Sequence, residues 1–339
     1  MRIIIDGMGG DNAPAEIVKG VVEASALIDH KLVIVGDTAQ IETELAKYKG
    51  KYSDAQIEIK HASEVIENDD APVKAVRRKK DSSMVVGINM VKDGEGDVFI
   101  SAGNTGALMA GGLFILGRIQ GIDRPALASV YPILGSEASL LVDAGANAEC
   151  KPNNLLEFGM MGSIYMEKVI GRPNPKVGLV NIGAEETKGT TLTKAAYELL
   201  DKSELNFIGN VEARELPFGA CDVIVCDGFV GNNILKLTEG LALNIMKLLK
   251  KKFTEGPVAV MGAALLSGKI KDIKGEFDYS EYGGAPILGI KGPIVKTHGS
   301  SKANAIKNTI IKAIPFAEKD VVQIIQNSVE ELEEITISE

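Results

Sequence analysis

The feature that most constrains the fold of this chain is a regular alternation of short, continuously apolar segments with segments of helix length. Runs such as LVIVG (32–36) and VIVC (223–226) are rich in β-branched residues. Strands that are covered on both faces carry such runs, whereas strands with one solvated face alternate apolar and polar residues. The alternation therefore predicts βαβ units and an α/β fold built on a mostly parallel sheet.

The same pattern places the individual elements. Strands are predicted at Arg2–Asp6, Lys31–Gly36, Gln56–His61, Asp97–Ser101, Leu127–Tyr131, Ser139–Asp143, Lys176–Asn181, Asn206–Gly209, Asp222–Cys226, Pro286–Ile290 and Pro293–Thr297. Helices are predicted at Ala13–Ile28, Pro72–Lys80, Ser83–Lys92, Thr105–Leu116, Asn154–Ile170, Thr190–Leu200, Val230–Lys252 and Ser300–Glu334, the last broken near Pro315. No repeat, linker or clear domain boundary is evident, so the chain is treated as one unit over 1–339.

One uncharged window, residues 98–117, is long enough to span a membrane. It reads VFISAGNTGALMAGGLFILG and contains five glycines together with Ser101, Asn104 and Thr105. This composition favours a buried strand, a glycine-rich turn and a buried helix over a membrane span.

Six of the predicted strands run directly into glycine-rich or polar turns. The turns read GMGGDNAP, AGNTGA, AGAN, IGAEETKG, DGFVGNN and GSS. The carboxyl ends of parallel strands share one edge of a sheet, and ligands bind at that edge. Glycine lets backbone N–H groups approach an anion, and helix N-termini favour negative charge. The turns therefore predict a cleft for an anionic, phosphate-bearing ligand.

Several familiar sites are missing from the sequence. GMGGDNAP does not have the spacing of a dinucleotide fingerprint, and neither a phosphate-binding GxxxxGK[ST] loop nor a GxSxG motif is present. The histidines His30, His61 and His298 are scattered, so no metal-ligand spacing is seen and no cofactor is predicted. The three cysteines are interpreted as small apolar residues of a protein in the reducing cytoplasm. The net charge of −9 and the absence of tryptophan argue against nucleic-acid binding.

Lys188 and Asn232 are the strongest candidates for chemistry. Lys188 follows a strand and precedes a helix, where its charge suits a phosphate oxygen; alternatively it is a solvated lysine beside Glu185 and Glu186. The Asn232 amide either donates to a carbonyl oxygen on which charge develops or caps the helix that it opens. Asn104 and Thr105 either bind phosphate or cap a helix, and His298 lies beside hydroxyl groups in THGSS.

Two further features of the sequence concern surfaces. The basic clusters KAVRRKK (74–80) and KLLKKKF (247–253) are either solvated helix faces or a landing patch for an acidic partner. The segment 257–274 is predicted to be an amphipathic helical excursion whose apolar face includes Met261, Leu265 and Leu266. That face is interpreted as core, as dimer interface, or as a surface for a membrane or an acyl chain.

Taken together, these motifs resemble the phosphate acyltransferase (PlsX) family over nearly the whole chain. The matching stretches, in order, are DGMGGDNAP (6–14), APVKAVRRKKDSSM (71–84), SAGNTGAL (101–108), GIDRPALA (121–128), DAGAN (143–147), FIGNVEAR (207–214), DGFVGN (227–232), EYGGAP (281–286) and KTHGSS (296–301). So many motifs in one order are far more specific than any single glycine loop.

The resemblance implies a fold and an activity. The fold would be a three-layer α/β/α homodimer like isopropylmalate dehydrogenase and phosphotransacetylase, with two lobes around a cleft. The activity would be transfer of a long-chain fatty acyl group from acyl–acyl-carrier protein to inorganic phosphate, giving acyl-phosphate for phospholipid synthesis. The implied protein is cytoplasmic, contacts the membrane peripherally, and hands its product to a membrane glycerol-phosphate acyltransferase.

The resemblance also implies roles for individual residues. Lys188 and Asn232 fall on the candidate catalytic positions of the family, Lys188 for phosphate and Asn232 for the oxyanion or substrate orientation. The expected lining of the site consists of Gly9, Gly10, Asn104, Thr105, His298 and Ser300. Three alternatives are weighed against this: a phosphate acetyltransferase using acetyl-CoA, a dehydrogenase on the same fold, and a membrane-associated scaffold without turnover.

Overall fold

The computed structural model describes residues 1–133, 138–270 and 283–338. These residues form two compact units. The first unit comprises the described residues of Met1–Ser129, Ile164–Pro173 and Tyr282–Glu339, and the second those of Val130–Ser163 and Asn174–Glu281. Each unit carries a mostly parallel sheet with helices packed on it, as predicted for the α/β class.

The sheet of the first unit has the strand order β3-β2-β1-β4-β11-β10-β5. All neighbours are parallel except β10, which runs antiparallel to β11 and to β5. Its strands are β1 (Arg2–Asp6), β2 (Lys31–Gly36), β3 (Ile57–His61), β4 (Val98–Ser101), β5 (Ala126–Tyr131), β10 (Ala285–Leu288) and β11 (Ile294–Lys296). Its helices are α1 (Ala15–Ser25), α2 (Thr38–Ala46), α3 (Pro72–Arg78), α4 (Ser83–Lys92), α5 (Thr105–Gly111), α10 (Ala303–Glu318) and α11 (Val321–Ser338).

The sheet of the second unit has the order β6-β9-β7-β8, and its paired strands are all parallel. Its strands are β6 (Ser139–Val142), β7 (Val177–Asn181), β8 (Phe207–Glu212) and β9 (Val223–Val225). Its helices are α6 (Pro152–Tyr165), α7 (Thr191–Asp201), α8 (Gly228–Thr254) and α9 (Pro257–Leu265).

Continuous apolar runs form the buried strands, for the reason that the sequence suggested. Ile3, Ile4 and Ile5 of β1 are all at most 1% exposed, so both faces of that strand are covered. The window 98–117 forms β4, a turn and α5, followed by a π-helical turn over Gly112–Leu116. None of the helices in the described residues combines the length and the hydropathy that a membrane span requires.

A side chain of the preceding turn caps the N-terminus of each of the helices α2, α4, α5, α7 and α8. Asp37, Ser82, Asn104, Thr190 and Asp227 each accept a hydrogen bond from a backbone N–H of the first helical turn that follows. Such caps satisfy amides that have no partner inside the helix.

The predicted strands all occur, with ends shifted by at most three residues. Helix α2 was not predicted, because Ile41 and Leu45 are its only buried residues and give a weak periodic signal. The C-terminal helix is interrupted at Lys319 and Asp320, whereas Pro315 lies inside α10. Helix α8 begins two residues earlier than predicted, because Asp227 caps it.

Helices α8 and α9 expose much of their apolar surface. Only Gly228 and Gly231 are buried in α8, and no residue is buried in α9. The interpretation of 257–274 as core of a single chain is therefore wrong for Pro257–Leu265. Residues 271–274 lie outside the described residues, as do Glu281 and Tyr282 of the EYGGAP motif.

Candidate active site

The six turns that the sequence singled out form two sets of three, one set on each sheet. Strands β1, β4 and β11 are parallel neighbours in the first unit, so the turns after them share one sheet edge. Strands β6, β9 and β7 are parallel neighbours in the second unit, and the turns after them share the edge of that sheet. We call them the first and the second turn set.

Hydrogen bonds hold the first turn set together across the sheet. The Asp11 backbone N–H donates to the Gly299 carbonyl oxygen at 2.8 Å. The Asn12 amide donates to the carbonyl oxygens of Ser300 and Ser301 at 3.1 and 3.2 Å. Gly10 has φ +95°, and a Cβ there would lie 2.8 Å from the Ala102 Cβ, so only glycine fits. The turns after β1, β4 and β11 thus lie in direct contact.

The buried carboxyl group of Asp6 holds the glycine-rich turn after β1 in place. Its oxygens accept hydrogen bonds from the Met8 backbone N–H at 3.2 Å and from the Ser101 hydroxyl at 2.7 Å. A Cβ at Gly9 would collide with the Asp6 carboxylate. Burial raises the pKa of Asp6 above its ordinary value, although the hydrogen bonds that it accepts act in the opposite direction.

Asn104 has a structural task in this set. Its Oδ1 accepts the Ala107 backbone N–H at 3.0 Å and so caps α5. Its Nδ2 donates to the carbonyl oxygens of Glu67, Asn68 and Asp70 at 3.0–3.2 Å. Both ends of the amide are therefore used within the chain, which favours the capping interpretation. Thr105 is the first residue of α5 and is partly exposed.

His298 and Ser300 lie exposed in the turn after β11. The His298 Nδ1 is 2.8 Å from the Ser300 Oγ and accepts the Ser300 backbone N–H at 3.2 Å. The two side chains thus contact each other within this turn.

The second turn set is organised around Asp143, which is fully buried. Its Oδ1 accepts the backbone N–H groups of Gly145 and Ala146 at 3.1 and 3.0 Å. Its Oδ2 accepts the backbone and side-chain N–H groups of Asn147 at 2.6 and 3.0 Å. One carboxylate thus fixes the whole turn after β6.

The N-terminus of α8 packs directly on that turn. A Cβ at Gly231 would collide with the Asp143 carbonyl oxygen, and one at Gly228 would lie 2.8 Å from the Asn147 backbone. Asn232 follows Gly231 and lies against Gly145, where a Cβ would be 3.3 Å from the Asn232 Cβ. The capping interpretation of Asn232 is wrong, because Asp227 caps this helix by accepting the Val230 N–H at 2.8 Å.

Lys188 lies exposed in the turn after β7. The Asn181 amide donates to its carbonyl oxygen at 3.2 Å, and its own N–H donates to the Glu185 carbonyl oxygen at 3.1 Å. Its backbone is therefore held, whereas its ammonium group has no hydrogen bond or ion pair with any described residue. The Asn232 side-chain amide likewise has no partner in the described part of the chain. Both candidate catalytic groups remain available to a ligand.

Sequence reasoning missed several residues at this edge. Asp143 and Asp227 position the turn and the helix that carry Asn232, and a buried Asp directly after a strand was the available signal. Ile182 and Phe229, in the turns that carry Lys188 and Asn232, are 80% and 66% exposed. Apolar residues inside otherwise polar turns were the signal for this pair.

Cys221 and Cys226 do not contribute a nucleophile at this edge. Cys221 and Cys226 are buried, and burial raises the pKa of the Cys221 thiol to about 12. A thiol with so high a pKa stays protonated at neutral pH. Among the described residues, no group of three or more His, Cys, Asp or Glu side chains is arranged to hold a metal ion.

Known proteins with similar sequences are phosphate acyltransferases. A family model described as fatty acid synthesis protein matches residues 1–324. The phosphate acyltransferase of Alkaliphilus oremlandii is 57% identical over 332 residues, which cover 98% of each chain. That of Clostridioides difficile is 51% identical over 334 residues, again 98% of each chain.

Solved structures show the fold at lower sequence similarity. A phosphotransacetylase from Streptococcus pyogenes matches with a TM-score of 0.61 at 18% identity, over 94% of each chain. A branched-chain phosphotransacylase from Enterococcus faecalis matches with a TM-score of 0.57 at 15% identity, over 95% of this chain and 99% of the other. The expectation of a phosphotransacetylase-like α/β fold is confirmed.

Proposed function

We infer that this chain transfers an acyl group to inorganic phosphate. The chain belongs to the fatty acid synthesis protein family, and its relatives are named phosphate acyltransferases. The observation that carries the inference is the match to named phosphate acyltransferases over nearly the full length. The site supports it, because the Lys188 ammonium and the Asn232 amide, neither of which has a partner among the described residues, follow the neighbouring strands β7 and β9.

The reaction explains why no nucleophilic side chain is needed. A phosphate oxygen attacks the carbonyl carbon of a thioester, and the carbonyl oxygen becomes an oxyanion. Collapse of this intermediate breaks the C–S bond and releases acyl-phosphate and a thiolate, which takes up the proton that phosphate loses. The protein must hold phosphate near the carbonyl and stabilise the developing charge.

Lys188 and Asn232 are assigned to these two tasks. The Lys188 ammonium binds phosphate and offsets its charge, since no carboxylate among the described residues pairs with it. The Asn232 amide donates to the oxyanion or orients the thioester, and Asp143 positions it through Gly145. Ile182 and Phe229 supply apolar surface beside these groups for the start of the acyl chain.

The first turn set is assigned to anionic groups of the substrates. Backbone N–H groups near Gly9 and Gly10, the N-terminus of α5 at Thr105, and the polar groups of His298 and Ser300 are the proposed donors. Asn104 belongs to this set as the residue that holds the turn in shape.

The acyl donor is proposed to be a long-chain acyl group on the acidic acyl-carrier protein, in the cytoplasm. The alternative, acetyl-CoA, is favoured only by the fold of the phosphotransacetylases, which at 15–18% identity does not specify a donor. The exposed apolar residues of α9 fit a long acyl chain or a membrane surface better than an acetyl group.

The product is a lipid precursor, and α9 is proposed to bring the protein to the membrane that uses it. Val258, Met261, Leu265 and Leu266 are between 51% and 84% exposed. A homodimer, peripheral membrane contact and hand-over to a membrane glycerol-phosphate acyltransferase complete the proposal.

The decisive experiment measures release of the carrier-protein thiol from palmitoyl–acyl-carrier protein with and without phosphate. We expect phosphate-dependent release by the wild type. Lys188→Ala should reduce kcat/KM for phosphate by about 10- to 100-fold, the size of a lost charge-assisted hydrogen bond of about 1.5–3 kcal/mol. Lys194→Ala, at an exposed lysine of α7, is the matched control and should stay near wild type.

The other outcomes are equally informative. If phosphate-dependent thiol release persisted in Lys188→Ala, phosphate binding would be assigned to the first turn set instead. Release from acetyl-CoA alone would establish the acetyltransferase alternative, and no release from either donor would indicate a scaffold without turnover.

A further inference from the structure

A cationic groove lies on α3 in the first unit, outside the residues assigned to chemistry. It has a volume of about 440 Å³ and is lined by Ala71, Pro72, Val73, Lys74, Arg77 and Arg78. Its floor and rim mix charge with apolar surface, since Val73 is 45% exposed and Phe114 beside it is 54% exposed. The Arg77 guanidinium lies 5.3 Å from the centroid of the Phe114 ring. We call Val73, Lys74, Arg77, Arg78 and Phe114 the α3 patch.

No acidic residue in the described part of the chain neutralises the charges of the α3 patch. Lys74, Arg77 and Arg78 have no acidic partner among the described residues, although the chain carries a net charge of −9. Lys79, one residue further on, differs: its ammonium pairs with Asp70 at 2.5 Å and donates to the Val65 carbonyl oxygen at 2.8 Å. Three exposed cations without counterions, in a chain rich in carboxylates, favour an acidic partner from outside.

The patch adjoins the first turn set. The Asn104 amide holds residues 67–70, which lead into α3. The first residues of α3 and α5 are also in contact, because a Cβ at Gly106 would lie 2.7 Å from the Pro72 Cγ. A macromolecule bound on the patch is therefore placed beside the turn after β4.

We propose that the α3 patch is the docking surface for an acidic carrier protein that delivers the thioester. This inference rests on the proposed function, which supplies a donor of that kind. Carboxylates of the partner pair with Lys74, Arg77 and Arg78, and an apolar side chain of the partner packs on Val73 and Phe114. The three cations stand at positions i, i+3 and i+4 on one face of α3, beside the exposed side chains of Val73 and Phe114. Charge mixed with exposed apolar surface suits a protein surface better than one small anion.

The test reverses charge on the patch and at a matched place. Arg77→Glu/Arg78→Glu alters the patch, and Lys49→Glu/Lys51→Glu makes the same change in charge at exposed lysines just beyond α2. Two readouts are compared: binding of fluorescently labelled acyl-carrier protein by anisotropy, and thiol release from palmitoyl–acyl-carrier protein and from palmitoyl-pantetheine, which has no protein part. Circular dichroism verifies that both variants are folded.

The proposal predicts a selective defect. The patch variant should bind carrier protein about tenfold or more weakly, because like charges now face each other, and its kcat/KM for the carrier-protein donor should fall equally. Turnover of palmitoyl-pantetheine by the patch variant, and all readouts of the Lys49→Glu/Lys51→Glu variant, should stay within about twofold of wild type. Wild-type binding should weaken as salt is raised.

Two results would overturn it. Unchanged carrier-protein binding by the patch variant would remove the docking role, and an equal loss with both donors would make the patch part of the reaction site instead. If the wild type turns over neither donor, the proposed function fails; the anisotropy measurement then decides the docking surface alone.

Discussion

At the scale of single residues, availability separates the candidate catalytic groups from their neighbours. Asn232 and Asn233 are adjacent and exposed. The Asn233 amide donates to the Phe229 carbonyl oxygen at 2.7 Å, whereas the Asn232 amide has no partner among the described residues. Lys188 and Lys79 differ in the same way, because Lys79 is paired with Asp70. A polar group that the fold leaves unsatisfied at a strand end is free to serve a substrate.

This contrast gives a matched test of the oxyanion role. Asn232→Ala should lower kcat of phosphate-dependent thiol release by about 10²–10³-fold, the usual cost of one oxyanion donor. Asn233→Ala should keep kcat within a few-fold of wild type, because the Asn233 amide donates to a carbonyl oxygen of its own helix. Equal losses in the two variants would assign the effect to the helix rather than to the amide of Asn232.

The buried carboxyl of Asp6 predicts a pH dependence of stability. Its pKa is raised above 3.8 in the folded chain by burial, so the folded state holds this proton more tightly than the unfolded state. The stability that Asp6 contributes is therefore complete below pH 3.8 and is lost as pH rises through the raised pKa.

Asp6→Asn isolates that contribution, because the amide oxygen still accepts hydrogen bonds but does not ionise. Urea unfolding across this pH range should show the wild type losing stability relative to Asp6→Asn as pH rises. Asp11→Asn, at an exposed carboxylate of the same turn, is the control. If the difference in the free energy of unfolding between wild type and Asp6→Asn did not change with pH, the raised pKa of Asp6 would be contradicted.

At the scale of elements, the junction of α8 with the turn after β6 positions Asn232. The contact is possible because residue 231 has no side chain, and its Cα lies against the Asp143 carbonyl. Gly240, later in the same helix, has no atom within 4 Å of the place where a Cβ would stand.

Substitution of these two glycines should therefore have opposite effects. Gly231→Ala should destabilise the fold by about 1–3 kcal/mol through overpacking and should lower activity by displacing Asn232. Gly240→Ala should stabilise it by about 0.5–1 kcal/mol, since alanine loses less backbone entropy in a helix. The urea midpoints of the two variants measure both changes in stability. If Gly231→Ala stabilised the fold, the turn after β6 would have to shift at little energetic cost.

At the scale of the whole molecule, the exposed apolar surface is concentrated on α8 and α9. Leu265 is 84% exposed, and no residue of α9 is buried within the part of the chain that the structure describes. Apolar surface of this kind is covered by a partner or by lipid. The proposal of peripheral membrane contact rests on this segment.

Flotation with lipid vesicles tests the membrane proposal. Leu265→Glu should lower the vesicle-bound fraction, because a carboxylate is costly to bury among acyl chains. Leu27→Glu, at a 63% exposed leucine of the first unit, should leave the fraction unchanged. An unchanged fraction with Leu265→Glu would end the proposal, and dissociation of a dimer in sedimentation would assign α9 to a subunit interface.

Local patterns in the sequence were sufficient for the elements and their turns. The apolar runs predicted every strand within a few residues, because burial on both faces requires continuous apolar side chains. Helix α2 was missed since only Ile41 and Leu45 mark its buried side. Asn104 and Asn232 look alike in sequence, each next to a glycine near the start of a helix, yet one caps and the other does not.

Residue patterns along the chain were enough for the α/β class, for the order of strands and turns and, through the motifs, for the family. The tertiary structure alone decided which strands are neighbours, and so divided the six turns into two sets. It also decided which polar groups are satisfied: Asp143 accepts hydrogen bonds from its own turn, whereas Lys188 and Asn232 have no described partner. The physical reason is that strand formation depends on nearby residues, while strand pairing and hydrogen-bond satisfaction depend on groups distant in the chain.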